Sequence, residues 1–408
     1  MSQLRQLAAD GRFRRLFIAR TISNLGNGIA PIALAFGVLA LPDTDATTLS
    51  IVLAAQAVPL VLVLPVGGVI ADRLGRTKVI AITDLILSAV VALLAFLFIS
   101  GSVTIPALVV LSFIIGCLNG IWWPAYSGVT PDVVSDELLQ PANAYLSIAS
   151  NVGLIAGSAI GGLIVASAGA GIAIAVDSAS FLIAGLLVFS FRHVSKPHDS
   201  GEGMLGDLAH GWRVFISFKW VVVVVLSFST IVMALYGAEQ VMGPVLAIDE
   251  YGGAAGWAVV LAFQSAGLLA GGFASSRMNI RRPMLFGMLI TLTLPLWLVS
   301  LAFAAPLWVI SLGSFAWGVS IEFFQVLWYT ALQTNVPREA LSRVSSYDAM
   351  GSLMFGPIGL ALAGPLVSLV GLQAAFLICA GITTVAILLT LLSRSVRSLT
   401  STVAEPAS

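Results

Sequence analysis

The chain has 408 residues, of which 59% are apolar and only 9% are charged, and its formal net charge is zero. Its mean hydropathy is +1.03. Soluble domains carry about 25% charged residues, so this composition excludes an ordinary water-soluble fold. It predicts a multi-spanning membrane protein.

The N-terminal segment MSQLRQLAADGRFRR is charged and has no small-residue cleavage site after it, so we expect a mature cytosolic end and not a signal peptide. Beyond it, apolar runs of about 20 residues predict membrane spans. There are twelve, at 16–40, 48–70, 79–100, 104–126, 143–166, 172–191, 220–242, 254–275, 283–304, 307–329, 345–369 and 372–393.

One connection is longer than the others. Residues 192–219 are rich in Pro, Gly and Ser, which predicts a linker. The expected organisation is therefore an N-terminal six-helix bundle at 1–191, a cytosolic linker at 192–219, and a C-terminal six-helix bundle with a short cytosolic tail at 220–408.

The basic residues predict the orientation. With a cytosolic N-terminus, twelve spans place all 19 Lys and Arg on the cytosolic side and none on the other, as the positive-inside rule requires. We therefore expect a multi-pass protein of the plasma (inner) membrane with both termini cytosolic.

The two halves carry the same pattern of residues. At a constant offset of 202, identical residues recur in six pairs: Glu137 and Glu339, Leu139 and Leu341, Tyr145 and Tyr347, Gly157 and Gly359, Gly162 and Gly364, and Gly169 and Gly371. Both copies run in the same membrane direction, which is typical of parallel repeats. This predicts an all-α integral membrane fold of two parallel-repeat six-helix bundles that face a central cavity, with alternating access by rocking.

The polar stretch GGVIADRLGRTK, residues 67–78, follows the second span and predicts a tight turn to the third. It resembles the loop between the second and third helices of the major facilitator superfamily, G-x-x-x-D-R-x-G-R-[RK]. Its positions are filled by Gly68, Asp72, Arg73, Gly75 and Arg76, with Thr77 where a basic residue is usual. The resemblance implies a gating role, in which Asp72 caps a helix and the arginines pair with nearby acidic groups. A cluster that only sets topology is the alternative.

The fifth span contains NVGLIAGSAIGGLIV, which resembles the G-x-x-x-G-P-x-x-G-G motif of the exporters of this superfamily. Gly153, Gly157, Gly161 and Gly162 match, and Ser158 replaces the proline. Glycines four apart let a second helix approach closely, so ordinary small-residue packing is the alternative. The segments WWPAYSGVTPDVV, PANAY and AVDSASFLIAGLL are similar to the branch that contains enterobactin-type and macrolide-type exporters. In the fourth span, Gly116 stands where those exporters often place an arginine, and Asn119 where glutamine is usual.

Ionisable residues inside spans are costly in lipid and are therefore candidates for transport. Glu322 in the tenth span, with Gln325 one turn on, is the first candidate proton carrier. The further candidates for proton or substrate binding are Asp177, Glu239, Asp84, Arg20 and Asn24. Structural carboxylates are the alternative. Arg20, Asn24 and Asn27 follow at helical spacing in the first span, which predicts a polar stripe that faces the cavity. Arg20 can also snorkel to the cytosolic surface.

Aromatic residues near Glu322 suggest where a substrate binds. Trp317, Phe323 and Phe324 are interpreted as a pocket for a hydrophobic substrate.

Several other classes of protein are excluded by absent motifs. The sequence has no G-x-x-x-x-G-K-[ST] loop, which argues against an ATP-driven pump, and no hydrolase motif, which argues against an enzyme. Cys117 and Cys379 lie inside apolar runs and His193, His198 and His210 lie in the linker, so neither a metal site nor a cofactor is expected. The expected partners are a small-molecule substrate and the lipid bilayer, with no nucleic acid, and the chain is expected to function as a monomer.

The sequence thus predicts a secondary active transporter, with proton-coupled efflux of small hydrophobic or amphiphilic molecules, drug-like or siderophore-like, driven by the proton gradient. The direction of transport depends on the fifth-span glycines and the resemblance. The alternatives are an uncoupled facilitator, a lipid translocator, or a transporter-like receptor that binds its ligand without moving it.

Overall fold

The computed structural model describes residues 3–195, 212–275, 277–278, 280–337, 344, 347–348, 350–352 and 354–399. Across these ranges the regular structure is helical throughout. Most of the predicted linker, with Lys196, His198 and His210, lies outside the described residues, as do Arg338, Glu339, Leu341, Arg343 and the end of the tail.

Within the described ranges, twelve helices are long and apolar enough to cross a membrane, which confirms the predicted all-α fold. We number them α1 to α12: Gly11–Leu39, Ala46–Leu74, Arg76–Ile99, Ile105–Ser127, Pro141–Ala168, Ala170–Phe189, Lys219–Glu250, Ala254–Ser275, Pro283–Ala302, Leu307–Asn335, Met350–Val370 and Leu372–Leu392. A short helix at Gln3–Ala9 precedes them.

Several of these helices extend beyond the predicted spans. The stretch 67–78, predicted as a turn, is helical except at Gly75, since α2 ends at Leu74 and α3 begins at Arg76. Helix α7 continues past 242 through a π-helical turn at Ala238–Met242. Helix α10 continues to Asn335. Charged or polar residues can extend a helix past the apolar run because its hydrogen bonds are internal.

Polar side chains and glycines define the helix ends. The carboxylate of Asp10 accepts hydrogen bonds from the N–H groups of Arg12 and Phe13 at the start of α1. Asp45 and Thr104 cap α2 and α4 in the same way, which satisfies N–H groups that the first turn leaves free. Gly75 has a φ of +89°, a value that glycine adopts without strain, and this allows the one-residue connection between α2 and α3.

The chain forms two compact units. The first unit comprises 1–201 with 252–258, and the second comprises 202–251 with 259–408. The boundaries predicted from the sequence, at 191 and 220, stay predictions.

Close helix contacts repeat in the two units. In the first unit, a Cβ added to Gly157 of α5 would overlap the carbonyl oxygen of Leu25 of α1. In the second unit, a Cβ on Gly359 of α11 would overlap the carbonyl oxygen of Met233 of α7. The matched glycines of the sequence repeat therefore make the same kind of backbone contact, as expected where small residues let membrane helices approach.

A second pair of helices repeats as well. Gly116 of α4 lies against the carbonyl oxygen of Gln56 of α2, and Gly318 of α10 lies against that of Gln264 of α8. The glycine at 116, where the resembling exporters often carry an arginine, is thus a packing residue, because a side chain there would meet backbone.

Candidate functional site

The loop between α2 and α3 is organised around Arg76. Its guanidinium donates to the Asp72 carboxylate at 3.1 Å and to the carbonyl oxygen of Gly128 at 2.9 Å. It also lies 3.8 Å from the carboxylate of Asp132. Arg76 therefore joins the α2–α3 connection to the segment that follows α4. Asp132, which directly follows a proline in GVTPDVV, is a member of this cluster that the sequence reasoning did not single out.

The other motif residues surround this cluster. Gly68 is half-buried in α2, and a Cβ on it would lie 3.8 Å from Pro124. Arg73 is exposed. Gly75 is buried against the backbone of Ser195, which a Cβ would approach to 2.6 Å. The predicted gating role of these residues stays a prediction.

Thr77 has a structural explanation for its departure from the family pattern. Its hydroxyl donates to the carbonyl oxygen of Arg192 at 2.9 Å and accepts from the N–H of Ser195 at 3.2 Å. In return, the N–H of Thr77 donates to the Ser195 hydroxyl at 3.1 Å. The start of the predicted linker is thus bound to the start of α3, and a long basic side chain at 77, which is fully buried, would disrupt this contact.

Three of the four glycines of the fifth-span motif, Gly153, Gly157 and Gly161, face α1, whereas Gly162 faces Ala254 and Ala258 of α8. A Cβ on Gly153 would lie 2.9 Å from Asn24 Cβ, and one on Gly161 would lie 2.9 Å from Ile29 Cα. Gly157 contacts Leu25, and Gly162 is buried. We call this surface between α1 and α5 the glycine seam.

Two side-chain hydrogen bonds cross the glycine seam. Asn24 Nδ2 donates to Ser150 Oγ at 2.8 Å, and Ser158 Oγ donates to the carbonyl oxygen of Gly28 at 3.3 Å. Ser158, which replaces the usual proline, therefore bonds the two helices together. Asn24, predicted to face the cavity, is used in this helix contact.

Arg20 is neither at the surface nor part of a cavity-facing stripe. Its side chain is fully buried, and Nη2 lies 3.4 Å from Oδ2 of Asp84, which is also fully buried. The guanidinium lies over the rings of Trp122 at 4.4 Å and Tyr126 at 4.9 Å. The predictions that Arg20 snorkels or faces the cavity are therefore wrong in this structure, because α3 supplies a counter-charge inside the unit.

Asp177 of α6 is the second buried carboxylate of the first unit, with 3% of its surface exposed. It contacts α1 at Gly26, where a Cβ would overlap both Asp177 and Ser180. Its Oδ1 has no hydrogen-bond partner among the described residues. Asp84 is thus paired with the cation of Arg20, whereas Asp177 lies beside Gly26 and Ser180.

In the second unit, Glu239 lies within the π-helical turn of α7. Its carboxylate accepts a hydrogen bond from Gln264 Nε2 of α8 at 3.1 Å. A π-turn adds a residue to the helix and reorients its side chains, and such turns are frequent at functional sites. Gln264 is a polar partner that the sequence reasoning missed, because nothing in the sequence indicates its proximity to Glu239.

Glu322 is half-buried in α10, and Gln325 one turn on is exposed. A Cβ on Gly272 of α8 would lie 3.6 Å from Glu322 Cγ. The carboxylate of Glu322 has no hydrogen-bond or ion-pair partner in the part of the chain that the structure describes. It is therefore the least constrained of the candidate carboxylates.

The aromatic residues near Glu322 do not form the predicted open pocket. Trp317, Phe323 and Phe324 are each at most 4% exposed. Phe324 stacks on Phe228 at 4.2 Å between ring centroids, and Phe323 packs near Phe286 at 5.5 Å. In this structure these residues are part of the core of the second unit.

Cysteines and potential metal ligands form no site within the described ranges. Cys117 and Cys379 are free thiols, and no group of three His, Cys, Asp or Glu side chains there is arranged to hold a metal ion.

Known proteins of similar sequence include an efflux pump and an exporter. The chain is 29% identical over 382 residues to the multidrug efflux pump Tap of Mycolicibacterium fortuitum, with 89% of this chain and 90% of the relative covered. It is 27% identical over 365 residues to the enterobactin exporter EntS of Escherichia coli, with 85% of each chain covered.

Solved structures of similar fold include the nucleoside transporter NupG, with a TM-score of 0.72 at 15% identity, covering 93% of this chain and 98% of that one. A bacterial homologue of the human lysosomal transporter Spinster, in an inward-facing and unoccupied conformation, has a TM-score of 0.70 at 14% identity and covers 95% and 97% of the two chains. The sequence profile of the Major Facilitator Superfamily matches residues 16–350 and 235–407. The chain is a multi-pass membrane transporter that belongs to the Major Facilitator Superfamily.

Proposed function

We propose that this transporter exports small hydrophobic or amphiphilic molecules in exchange for protons, with Glu322 as the principal proton carrier and alternating access as the mechanism. The observation that carries the proposal is the state of the carboxylates in the second half. Glu239 and Glu322 both lie inside spans, and the one Lys or Arg residue within the bounds of α7 to α12 is Lys219, the first residue of α7.

A carboxylate inside a bilayer is stable only when it is protonated, is paired with a cation or faces water. Glu239 is partly satisfied by the amide of Gln264. Glu322 has no such partner among the described residues and is half-buried, so it is the group best placed to gain and lose a proton as its surroundings change. Glu239 then serves as a secondary polar contact for substrate or proton.

The similarity to a multidrug efflux pump and an enterobactin exporter supports the direction of transport and the amphiphilic character of the substrate. We place the protein in the plasma (inner) membrane with both termini cytosolic, because that orientation leaves all 19 Lys and Arg on one side.

The test is accumulation of a lipophilic cationic dye in inverted vesicles, with and without an imposed proton gradient. We expect gradient-driven accumulation by the unmodified protein and its loss, by about a hundredfold, in Glu322→Gln, because an amide cannot carry the proton that general acid–base transfer requires. The matched control is Glu250→Gln, which neutralises an exposed carboxylate at the end of α7.

The outcomes are distinguishable. Gradient-driven accumulation that survives Glu322→Gln would remove Glu322 from the mechanism. Accumulation that ignores the gradient in the unmodified protein would instead favour an uncoupled facilitator, and saturable dye binding without accumulation would favour a receptor.

A further inference from the structure

The Arg20–Asp84 contact joins helices that are distant in sequence. Arg20 lies in α1, Asp84 in α3, and the two rings under the guanidinium, Trp122 and Tyr126, in α4. The rings are stacked on each other, with centroids 4.8 Å apart and planes at 16°. A cation over aromatic faces is attracted electrostatically, so Arg20 is held by one charged and two aromatic partners.

The pair is incompletely satisfied. Its one contact is 3.4 Å long, whereas charge-assisted bonds are commonly about 2.7–2.9 Å and often bidentate. Arg20 Nε, Arg20 Nη1 and Asp84 Oδ1 have no hydrogen-bond partner among the described residues. Buried ion pairs frequently contribute little net stability compared with apolar groups of similar size. The Arg20–Asp84 pair is therefore better explained by a role in helix orientation than by a contribution to the stability of the fold.

The position of Arg20 on α1 connects this cluster to the glycine seam. Asn24 and Gly28 follow Arg20 at intervals of one helical turn. The Asn24 amide donates a hydrogen bond to Ser150 of α5, and the Gly28 carbonyl oxygen accepts one from Ser158 of α5. A rotation of α1 at Arg20 would displace both seam contacts, because residues four apart lie on the same side of a helix.

We propose that Arg20 and Asp84 act together as one buried positioning pair, which orients α1 on α3 and α4 and thereby aligns the glycine seam with α5. On this assignment Asp84 carries no proton during transport and Arg20 contacts no substrate. The transport measurement below rests on the proposed function, whereas the stability and exchange measurements are independent of it.

The pair makes a specific double-mutant prediction. Removal of one partner leaves an unpaired charge in the interior, whereas removal of both does not. We expect Arg20→Met and Asp84→Asn each to lower the thermal midpoint of the purified protein, and the double variant to regain most of that loss. We also expect faster hydrogen–deuterium exchange in α1 and α5 peptides of the single variants, returning towards the unmodified rate in the double variant.

Transport distinguishes positioning from proton carriage. We expect dye accumulation to fall about tenfold or more in each single variant and to recover to within about threefold in the double variant, with the same response to the proton gradient as the unmodified protein. Arg20→Lys, which keeps the cation, should fold and retain transport even where Arg20→Met does not fold.

The matched control is Asp177→Asn, which neutralises a buried carboxylate of the same unit that has no ion-pair partner among the described residues. Its effect on the thermal midpoint should simply add to that of Arg20→Met. A double Arg20→Met, Asp84→Asn variant with no recovery of stability, or with restored stability and no gradient-driven transport, would overturn the proposal. So would single variants that match the unmodified protein. A failure of dye transport in every protein, with coupling in the stability cycle, would count against the proposed function alone.

Discussion

The two units have matching backbone contacts but different buried charges. Gly157 on Leu25 and Gly359 on Met233 are the same contact in the two repeats. The charges do not repeat, since the first unit buries an Arg20–Asp84 ion pair, whereas Glu239 and Glu322 of the second unit have no ion-pair partner among the described residues. The matched glycines therefore keep the same helix contacts in both units, while the buried charged side chains differ between them.

The largest expected effect tests the shared packing. We expect Gly157→Ala and Gly359→Ala to destabilise the protein to a similar extent, by about 3 kcal/mol or more, because each new Cβ would overlap a backbone oxygen that cannot move aside. The thermal midpoint of each purified variant is the measurement. Gly381→Ala in α12, where a Cβ meets nothing within 4 Å, is the control and should not lower it. A strong effect at only one of the two glycines would mean that the two units do not share this packing contact.

A second pair of glycines tests backbone conformation without a steric clash. Gly169 and Gly371 precede α6 and α12, with φ of +87° and +81°, and a Cβ on either meets nothing within 4 Å. We expect Gly169→Ala and Gly371→Ala each to cost about 1–3 kcal/mol through backbone strain alone. Equal shifts of the thermal midpoint would mean that the two units have the same backbone strain at these matched glycines. If neither variant shifts it, strain at these sites is negligible.

The smallest expected effect concerns the N-terminal cap of α2. Asp45 caps α2 by accepting from the N–H of Thr48 at 2.9 Å, whereas α8 follows Gly252 and Gly253, both with positive φ. We expect Asp45→Ala to cost about 1 kcal/mol at neutral pH.

This effect should depend on pH. The hydrogen bond from the Thr48 N–H holds the pKa of Asp45 below its ordinary value of 3.8. The ionised cap therefore stabilises the protein above that value, and its contribution is lost as the pH falls through the lower folded-state pKa. Thermal midpoints of Asp45→Ala and the unmodified protein, compared from neutral to acidic pH, should converge at low pH. A difference that stays constant with pH would mean that the carboxylate charge contributes nothing.

Residues near the site show how far sequence reasoning reaches. The motif positions from Gly68 to Arg76 and the glycines from Gly153 to Gly162 were predicted from their resemblance to motifs of the superfamily, and both lie at helix ends or helix contacts in the structure. The partners of these residues were not predicted. Asp132, Gln264 and the bond from Thr77 to the linker involve residues far apart in sequence, and no local pattern specifies which of them meet.

The fold could be predicted from the sequence pattern alone. Twelve apolar runs, one-sided basic residues and a 202-residue repeat specify helices and a duplicated bundle, because a bilayer requires every backbone group in it to be bonded within a helix or barrel. The roles of the polar side chains, in contrast, depend on tertiary contacts that no sequence pattern shows. Arg20 and Asp84 were separate candidates in the sequence, and the packing of α1 against α3 made them one pair. Inside a low-dielectric interior, the nearest partner in space determines whether a charge is neutralised, paired or available for chemistry.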